Sequence, residues 1–256
     1  MKYALKIRYI GKNYNGSQIQ FENGQEREEP TIQGILEKAI CTVTGDRITE
    51  QNKRPIKTVF SGRTDKGVNS KGQVFHFTTD KPIVASKFVY SLNEILPNDI
   101  SVRDLEEVDE RFHAQKSAKS RYYRFEFFNR KNKDAFDGDL MRIKFDIDIN
   151  RMQKSLNYLI GEHDFSSFKS SGTLNPSTVC IIEKAECKKL DDKVIIDIVG
   201  NRFLYNMVRT IVGTLLEIEG HNLTSEHMKE VLEAKDRRKA GRTVSPEGLT
   251  LMEVTY

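Results

Sequence analysis

Asp65 stands in Ser61-Gly62-Arg63-Thr64-Asp65-Lys66-Gly67-Val68-Asn69-Ser70-Lys71-Gly72-Gln73-Val74-Phe75-His76-Phe77, a polar, glycine-punctuated stretch that runs into a strand-like segment. Gly62, Gly67 and Gly72 let the backbone turn tightly and approach a ligand while Asp65 is presented between Arg63 and Lys66. A single carboxylate presented between two cations on so permissive a backbone is a poor recipe for a mere connector. Gly, Asp and Asn also favour plain turns, so a hairpin loop with a solvated aspartate reads these residues equally well.

Other chemistries find less support. His76, His113, His163, His221 and His227 show no i, i+4 pair and no neighbouring thiolate set, which argues against a metal centre. His163, in Gly161-Glu162-His163-Asp164-Phe165, reads as a packed or loop-bonding histidine rather than a general base. No serine sits in a nucleophile elbow and no P-loop is present, so carboxylate chemistry leads.

The elements that must position Asp65 follow from periodicity. Tyr3 to Tyr9 alternates at period two and predicts a half-buried strand leading to a turn at Gly11 to Gly16. Ile32, Ile35, Leu36, Ala39, Ile40 and Val43 recur at helical spacing, with Thr31 as N-cap and Gly45 as stop. A short strand at Ile56 to Phe60 enters the Asp65 loop and Gln73 to Phe77 leaves it; a helix through Phe88, Val89 and Leu92 and a strand from Ile100 to Leu105 follow. The second half repeats this order: a strand at Tyr122–Phe128, a helix at Met152–Ile160, and a hairpin of Val179–Lys188 and Val194–Val199 across Asp191-Asp192. A helix through Leu204 to Leu215, an extra helix over 225–234 and a strand at Leu249–Val254 complete it.

The expected fold is therefore α+β: two pseudo-symmetric β-α-β-β-α-β (ferredoxin-like) halves, residues 1–113 and 114–256. They are expected to form an extended, mostly antiparallel sheet with a central cleft suited to an extended polyanion such as RNA.

The 256 residues carry 41 Lys plus Arg against 37 Asp plus Glu, so attraction to nucleic acid must come from local clusters. One runs from Ala114 to Lys133, where Lys116, Lys119, Arg121, Arg124, Arg130, Lys131 and Lys133 face only Glu126 and interleave with Tyr122, Tyr123, Phe125, Phe127 and Phe128. On a strand these aromatics divide between two faces and most belong to the core; Tyr123 is the exception singled out. The second holds Lys235, Arg237, Arg238, Lys239 and Arg242 around Asp236, a pattern a solvated loop would also show. About five phosphate contacts from these clusters would make log affinity fall with log salt at a slope of roughly −4. Cys41, Cys180 and Cys187 form no CxxC pair and fit a reducing cytosol. Met1 to Ile10 does not read as a signal peptide, and no run approaches ~20 apolar residues, so a soluble cytoplasmic protein is expected.

Gly62-Arg63-Thr64-Asp65 with Gly67-Val68 and Gly72-Gln73-Val74 resembles the signature of the TruA family of tRNA pseudouridine synthases. The resemblance extends along nearly the whole chain: Tyr14-Asn15-Gly16 with Gln18 and Gln20, Thr31-Ile32-Gln33, Leu92-Asn93 with Leu96-Pro97, Gly161 to Phe168, Gly200-Asn201 with Phe203-Leu204, Met207-Val208-Arg209, Asp236-Arg237 and Gly248-Leu249 fall in the family's order.

The resemblance implies isomerisation of uridine to pseudouridine in RNA, usually at positions 38, 39 and 40 of the tRNA anticodon arm, by a homodimer that uses neither metal nor organic cofactor. It implies Asp65 as nucleophile, attacking ribose C1′ or uracil C6; Tyr123 stacking on the target base; Arg209 pairing with Asp65; and Arg63 helping to hold the flipped nucleotide. Lys116, Lys119, Arg121, Arg124, Arg237 and Arg238 would contact RNA.

Four residues, at three places in the chain, depart from the family pattern. Asn69-Ser70 replaces a usual His-Ala, Cys180 stands where an arginine is expected, and Ser17 where a tryptophan is common. Neither Asn69-Ser70 nor Cys180 removes a catalytic group, and substrate orientation is what those two departures bear on. A paralogue acting on another RNA such as rRNA, and a non-catalytic RNA-binding protein in which Asp65 is a turn residue, are the alternative readings.

Overall fold

The computed structural model describes residues 1–22, 25–171 and 177–256. The chain divides into two compact units, Met1–Lys119 with Leu251–Tyr256 and Ser120–Thr250, whereas element order alone places the division after His113.

The first unit contains β1 (Lys2–Tyr9), β2 (Phe21–Glu22), β3 (Gln25–Glu26), α1 (Ile32–Thr44), β4 (Val59–Phe60), β5 (Asn69–Thr78), α2 (Ala85–Ile95) and β6 (Ile100–Val108). β1 runs antiparallel between β6 and β5, and β4 pairs with β5. Tyr3, Leu5, Ile7 and Tyr9 of β1 pack with Phe75 and Phe77 of β5 against Ile32, Leu36 and Ile40 of α1 and Phe88 and Leu92 of α2. The expected strand–helix–strand–strand–helix–strand order is present, and the β2–β3 pair is added to it. α1 begins and ends where its caps place it: the Thr31 hydroxyl accepts from Gly34 N at 3.2 Å, and Gly45 closes the helix in the left-handed region at φ 71°.

The second unit contains β7 (Ser120–Asn129), β8 (Arg142–Ile143), α3 (Ile149–Asn157), β9 (Gly161–Asp164), β10 (Val179–Leu190), β11 (Lys193–Gly200), α4 (Met207–Gly220) and α5 (Glu226–Ala234), then the start of β12 (Leu249–Thr255). From Leu251 onward β12 belongs to the first unit, where it lies beside β5. The order β7-β11-β10-β9 is antiparallel throughout, with β8 parallel to β7. Tyr123, Phe125 and Phe127 are buried on one face of β7 directly opposite Ile198, Ile196 and Val194. β9 is absent from the element order read off the sequence, because four residues of Gly-Glu-His-Asp carry no apolar alternation. His163 lies on it, with Nε2 2.9 Å from Ile160 O and its ring edge-on to Phe165, a packed histidine as expected.

One consequence for stability concerns His76 of β5, whose Nδ1 accepts from Ala114 N at 3.1 Å. Burial, with His113 and Lys2 adding repulsion, pushes this imidazole from 6.5 down to about 4. Between those values the unfolded chain binds a proton that the folded chain does not, so stability falls as pH drops through the window, by roughly 2 kcal/mol by pH 5. The urea midpoint is expected to fall between pH 7 and pH 5, and His76→Gln, which keeps an acceptor for Ala114 N, to flatten that dependence.

Candidate functional site

The Asp65 loop joins β4 to β5 and is held by groups far from it in sequence. Ser17, fully buried, takes Thr64 from both sides: its hydroxyl accepts from Thr64 N at 2.9 Å and its N–H donates to Thr64 O at 3.0 Å. The Tyr9 hydroxyl meets Thr64 Oγ1 at 2.8 Å, and burial pushes Tyr9 up to about 12, so it stays a neutral phenol. On the other side of the turn, buried Gln73 donates through Nε2 to Gly62 O at 2.8 Å and accepts from the Ser61 hydroxyl. Val68 N bonds back to Asp65 O at 3.1 Å, with Gly67 at φ 82° making the corner. Asp65 is thus half-buried in a backbone fixed at both ends, with Arg63 and Lys66 exposed beside it.

α1 steadies the approach to this loop. Buried Glu37 accepts from Thr58 N at 2.7 Å and forms a two-pronged pair with Arg54, at 2.7 Å for both Nε and Nη2, which ties the residues ahead of β4 to the helix. Local sequence does not mark Tyr9 or Glu37 as part of a site, whereas Gln73 and Ser17 stand in stretches compared with the family signature. For Tyr9 and Gln73 the signal is a polar group at a position that strand alternation assigns to the core.

In the second unit Tyr123 keeps 9% exposure, its ring edge-on to Phe203 with centroids 5.1 Å apart. Arg209, half-buried on α4, donates through Nε to Val244 O and through Nη1 to Asn206 Oδ1, each at 2.8 Å, so its guanidinium is oriented by the protein.

The basic clusters are more engaged than the sequence indicates. Arg124 forms a fork with Asp197 of β11, Nε to Oδ1 at 2.7 Å and Nη2 to Oδ2 at 3.0 Å, and Tyr122 OH bridges the same two groups. Arg130 stacks on Phe128 and pairs with Asp137 and Asp192. Arg121 donates to Asn201 O at 2.7 Å, while Lys116 and Lys119 are exposed. Arg237 braces its own loop through Ala240 O and Thr243 Oγ1, and Arg238 forks onto Asp236, which it holds down at about 2. The carboxylates that meet Arg124 and Arg130 come from β11, its turn and a downstream loop, so local charge counting misses them. Among the described residues no group of three or more His, Cys, Asp or Glu could hold a metal ion, and no helix is long and apolar enough to cross a membrane.

A family profile described as tRNA pseudouridine synthase matches residues 6–115 and 156–256. The chain belongs to this family. It is 38% identical over 257 residues to tRNA pseudouridine synthase A of Thermoanaerobacter sp. (strain X514), covering 98% of each chain. The enzyme of the same name from Caldicellulosiruptor saccharolyticus is 39% identical over 253 residues, again covering 98% of each, and that from Brevibacillus brevis 38% over 251 residues, covering 98% of this chain and 97% of its own. Among solved structures, the archaeal box H/ACA sRNP Nop10–Cbf5 complex matches 84% of this chain and 43% of its own at 9% identity, with a TM-score of 0.37, too slight a likeness to build on.

The three departures from the family pattern now have structural partners. Asn69 Oδ1 accepts from Gly11 N at 2.9 Å, and Ser70 Oγ accepts from Gln73 N at 2.9 Å and Gly72 N at 3.3 Å. Ser17 is the clamp on Thr64. Cys180 is fully buried, and burial pushes its thiol up to about 11, so it packs as a small apolar group in β10.

Proposed function

We propose that this chain converts uridine to pseudouridine in the anticodon arm of tRNA, at positions 38, 39 and 40, with Asp65 as the nucleophile. Uridine isomerisation in tRNA follows from the family; the positions and the residue roles are this proposal. Asp65 attacks ribose C1′, displacing N1, or adds to uracil C6; in either case the N1–C1′ bond breaks, the base turns, C5 bonds to C1′, the bond to Asp65 breaks to return the carboxylate, and the C5 proton leaves while N1 gains one. Atoms and electrons balance within the nucleotide, so the reaction requires no redox partner.

The observation that carries the reading is the anchoring of Thr64 by Ser17 and Tyr9, which fixes the backbone next to an aspartate that is otherwise in a turn. Tyr123 stacks on the uracil, offsetting part of the few kcal/mol that flipping costs. Arg209 holds the Asp65 carboxylate, Arg63 steadies the flipped nucleotide, and Lys116, Lys119, Arg121, Arg124, Arg237 and Arg238 contact phosphates. Arg124 and Arg238 do so from within their carboxylate pairs and so contribute less charge than the two exposed lysines. The protein acts as a cytoplasmic homodimer, which the family resemblance supports.

Mapping pseudouridine transcriptome-wide with and without this protein tests the reading: loss confined to the tRNA anticodon arm is expected, and loss in rRNA alone would overturn the substrate assignment. For Tyr123→Phe, tRNA affinity within about twofold and turnover reduced about tenfold or more are expected. Single-turnover rates check this, and wild-type rates would show that the hydroxyl plays no part.

A further inference from the structure

Two cations on the first unit's sheet stand together without a carboxylate, and the backbone is built to put them there. On β1 the side chains of Tyr3, Leu5, Ile7 and Tyr9 enter the core, so Lys6 and Arg8 take the opposite face and are exposed. On β5, Phe77 and Phe75 enter the core opposite Tyr3 and Leu5, and strict alternation would send Gln73 and then Lys71 the same way. It does not, because the register shifts: Ile7 pairs with Gln73 but Tyr9 with Ser70, so Arg8 alone spans Lys71 and Gly72. This bulge leaves Ser70 buried beneath Tyr9 and turns Lys71 onto the exposed face beside Arg8. Gly72 permits it, since a Cβ there would lie 2.3 Å from Met252 O of β12.

The next like-charged pair along β1 is treated differently. Lys6 lies opposite Arg103 of β6, and Asp104, in the left-handed region at φ 54°, meets Lys6 Nζ at 3.1 Å and Arg103 Nε at 3.6 Å. Arg8 lies opposite Ser101, and among the described residues neither the Arg8 nor the Lys71 side chain has an ion-pair or hydrogen-bond partner. Glu253 of β12 approaches Gly72 with its backbone but pairs with neither cation. Like charges on neighbouring strands destabilise a sheet, and among the described residues no carboxylate comes within ion-pair distance of either cation. β5 begins directly after the Asp65 loop, which places both cations at the foot of that loop.

We propose that Arg8 and Lys71 form a phosphate-binding pair that grips the RNA backbone next to the nucleotide presented to Asp65. This rests on the reading of the substrate as tRNA. The test is the salt dependence of binding of an unmodified tRNA transcript to the full-length protein, compared with the Arg8→Gln/Lys71→Gln double variant and with Lys71→Arg. Two lost phosphate contacts make the log–log slope shallower by about 1.5 and weaken binding about tenfold at moderate salt, whereas Lys71→Arg keeps the wild-type slope. In turnover the loss falls in KM. A double variant that melts like wild type and keeps the wild-type slope would overturn the proposal. Pseudouridine formation by the wild-type protein on the same transcript separates the two claims: wild-type binding without product defeats the assigned activity, while the slope still decides the role of the pair.

Discussion

Asp65→Asn is expected to lower pseudouridine formation by more than about 10³-fold while tRNA affinity stays within a few-fold. The substitution is nearly isosteric, and an amide cannot supply the electron pair that a carboxylate brings to C1′ or C6. The loop is expected to keep its course, because its hold is on Thr64, through Ser17 and Tyr9, and on Ser61 and Gly62, through Gln73. Release of tritium from tRNA labelled at uracil C5 measures the effect, since C5 loses its proton when it bonds to C1′. Product at wild-type rates would return Asp65 to the status of a turn residue.

Gly11→Ala is expected to damage both stability and turnover. A Cβ at Gly11 would lie 2.1 Å from Val68 O and 2.7 Å from Val68 C, both backbone atoms that cannot swing aside. Val68 N closes the turn onto Asp65 O, and Gly11 N is the donor that Asn69 accepts, so the strain passes into the loop that carries the aspartate. A cost of about 2–4 kcal/mol is expected from forced backbone movement, and a displacement of about 1 Å at a reacting group costs on the order of 10²-fold in rate. Urea denaturation and kcat check the two parts. Gly62→Ala is the contrast within the same loop: a Cβ there meets nothing within 4 Å, and a stability change below about 0.5 kcal/mol is expected.

These variants mark where the sequence could be read and where it could not. Gly62 to Asp65 singles out a candidate only through its resemblance to the family signature, since a solvated turn aspartate shows the same residue types, whereas α1 could be read because Thr31 and Gly45 cap it by local chemistry. Ser17 and Tyr9 could not be assigned to the site, since the residue they grip lies more than forty positions on and nothing local announces the meeting. Arg124 looked available because Asp197 reaches it only through the pairing of β11 with β7. Lys71 belongs to the same class: its face is set by a bulge that exists only in the register of β5 with β1. Local periodicity identifies elements and caps; cross-strand pairing decides which charges are cancelled and which are left for a ligand.

This chain, unaided, is proposed to isomerise uridine in tRNA through the loop at Asp65. The most direct test is incubation of the purified protein with an unmodified tRNA transcript in the presence of EDTA and no added cofactor, followed by single-nucleotide mapping of pseudouridine. Product is expected at positions 38, 39 and 40 with the wild-type protein and none with Asp65→Asn. Absence of pseudouridine from the wild-type reaction, or equal product from both proteins, would contradict it.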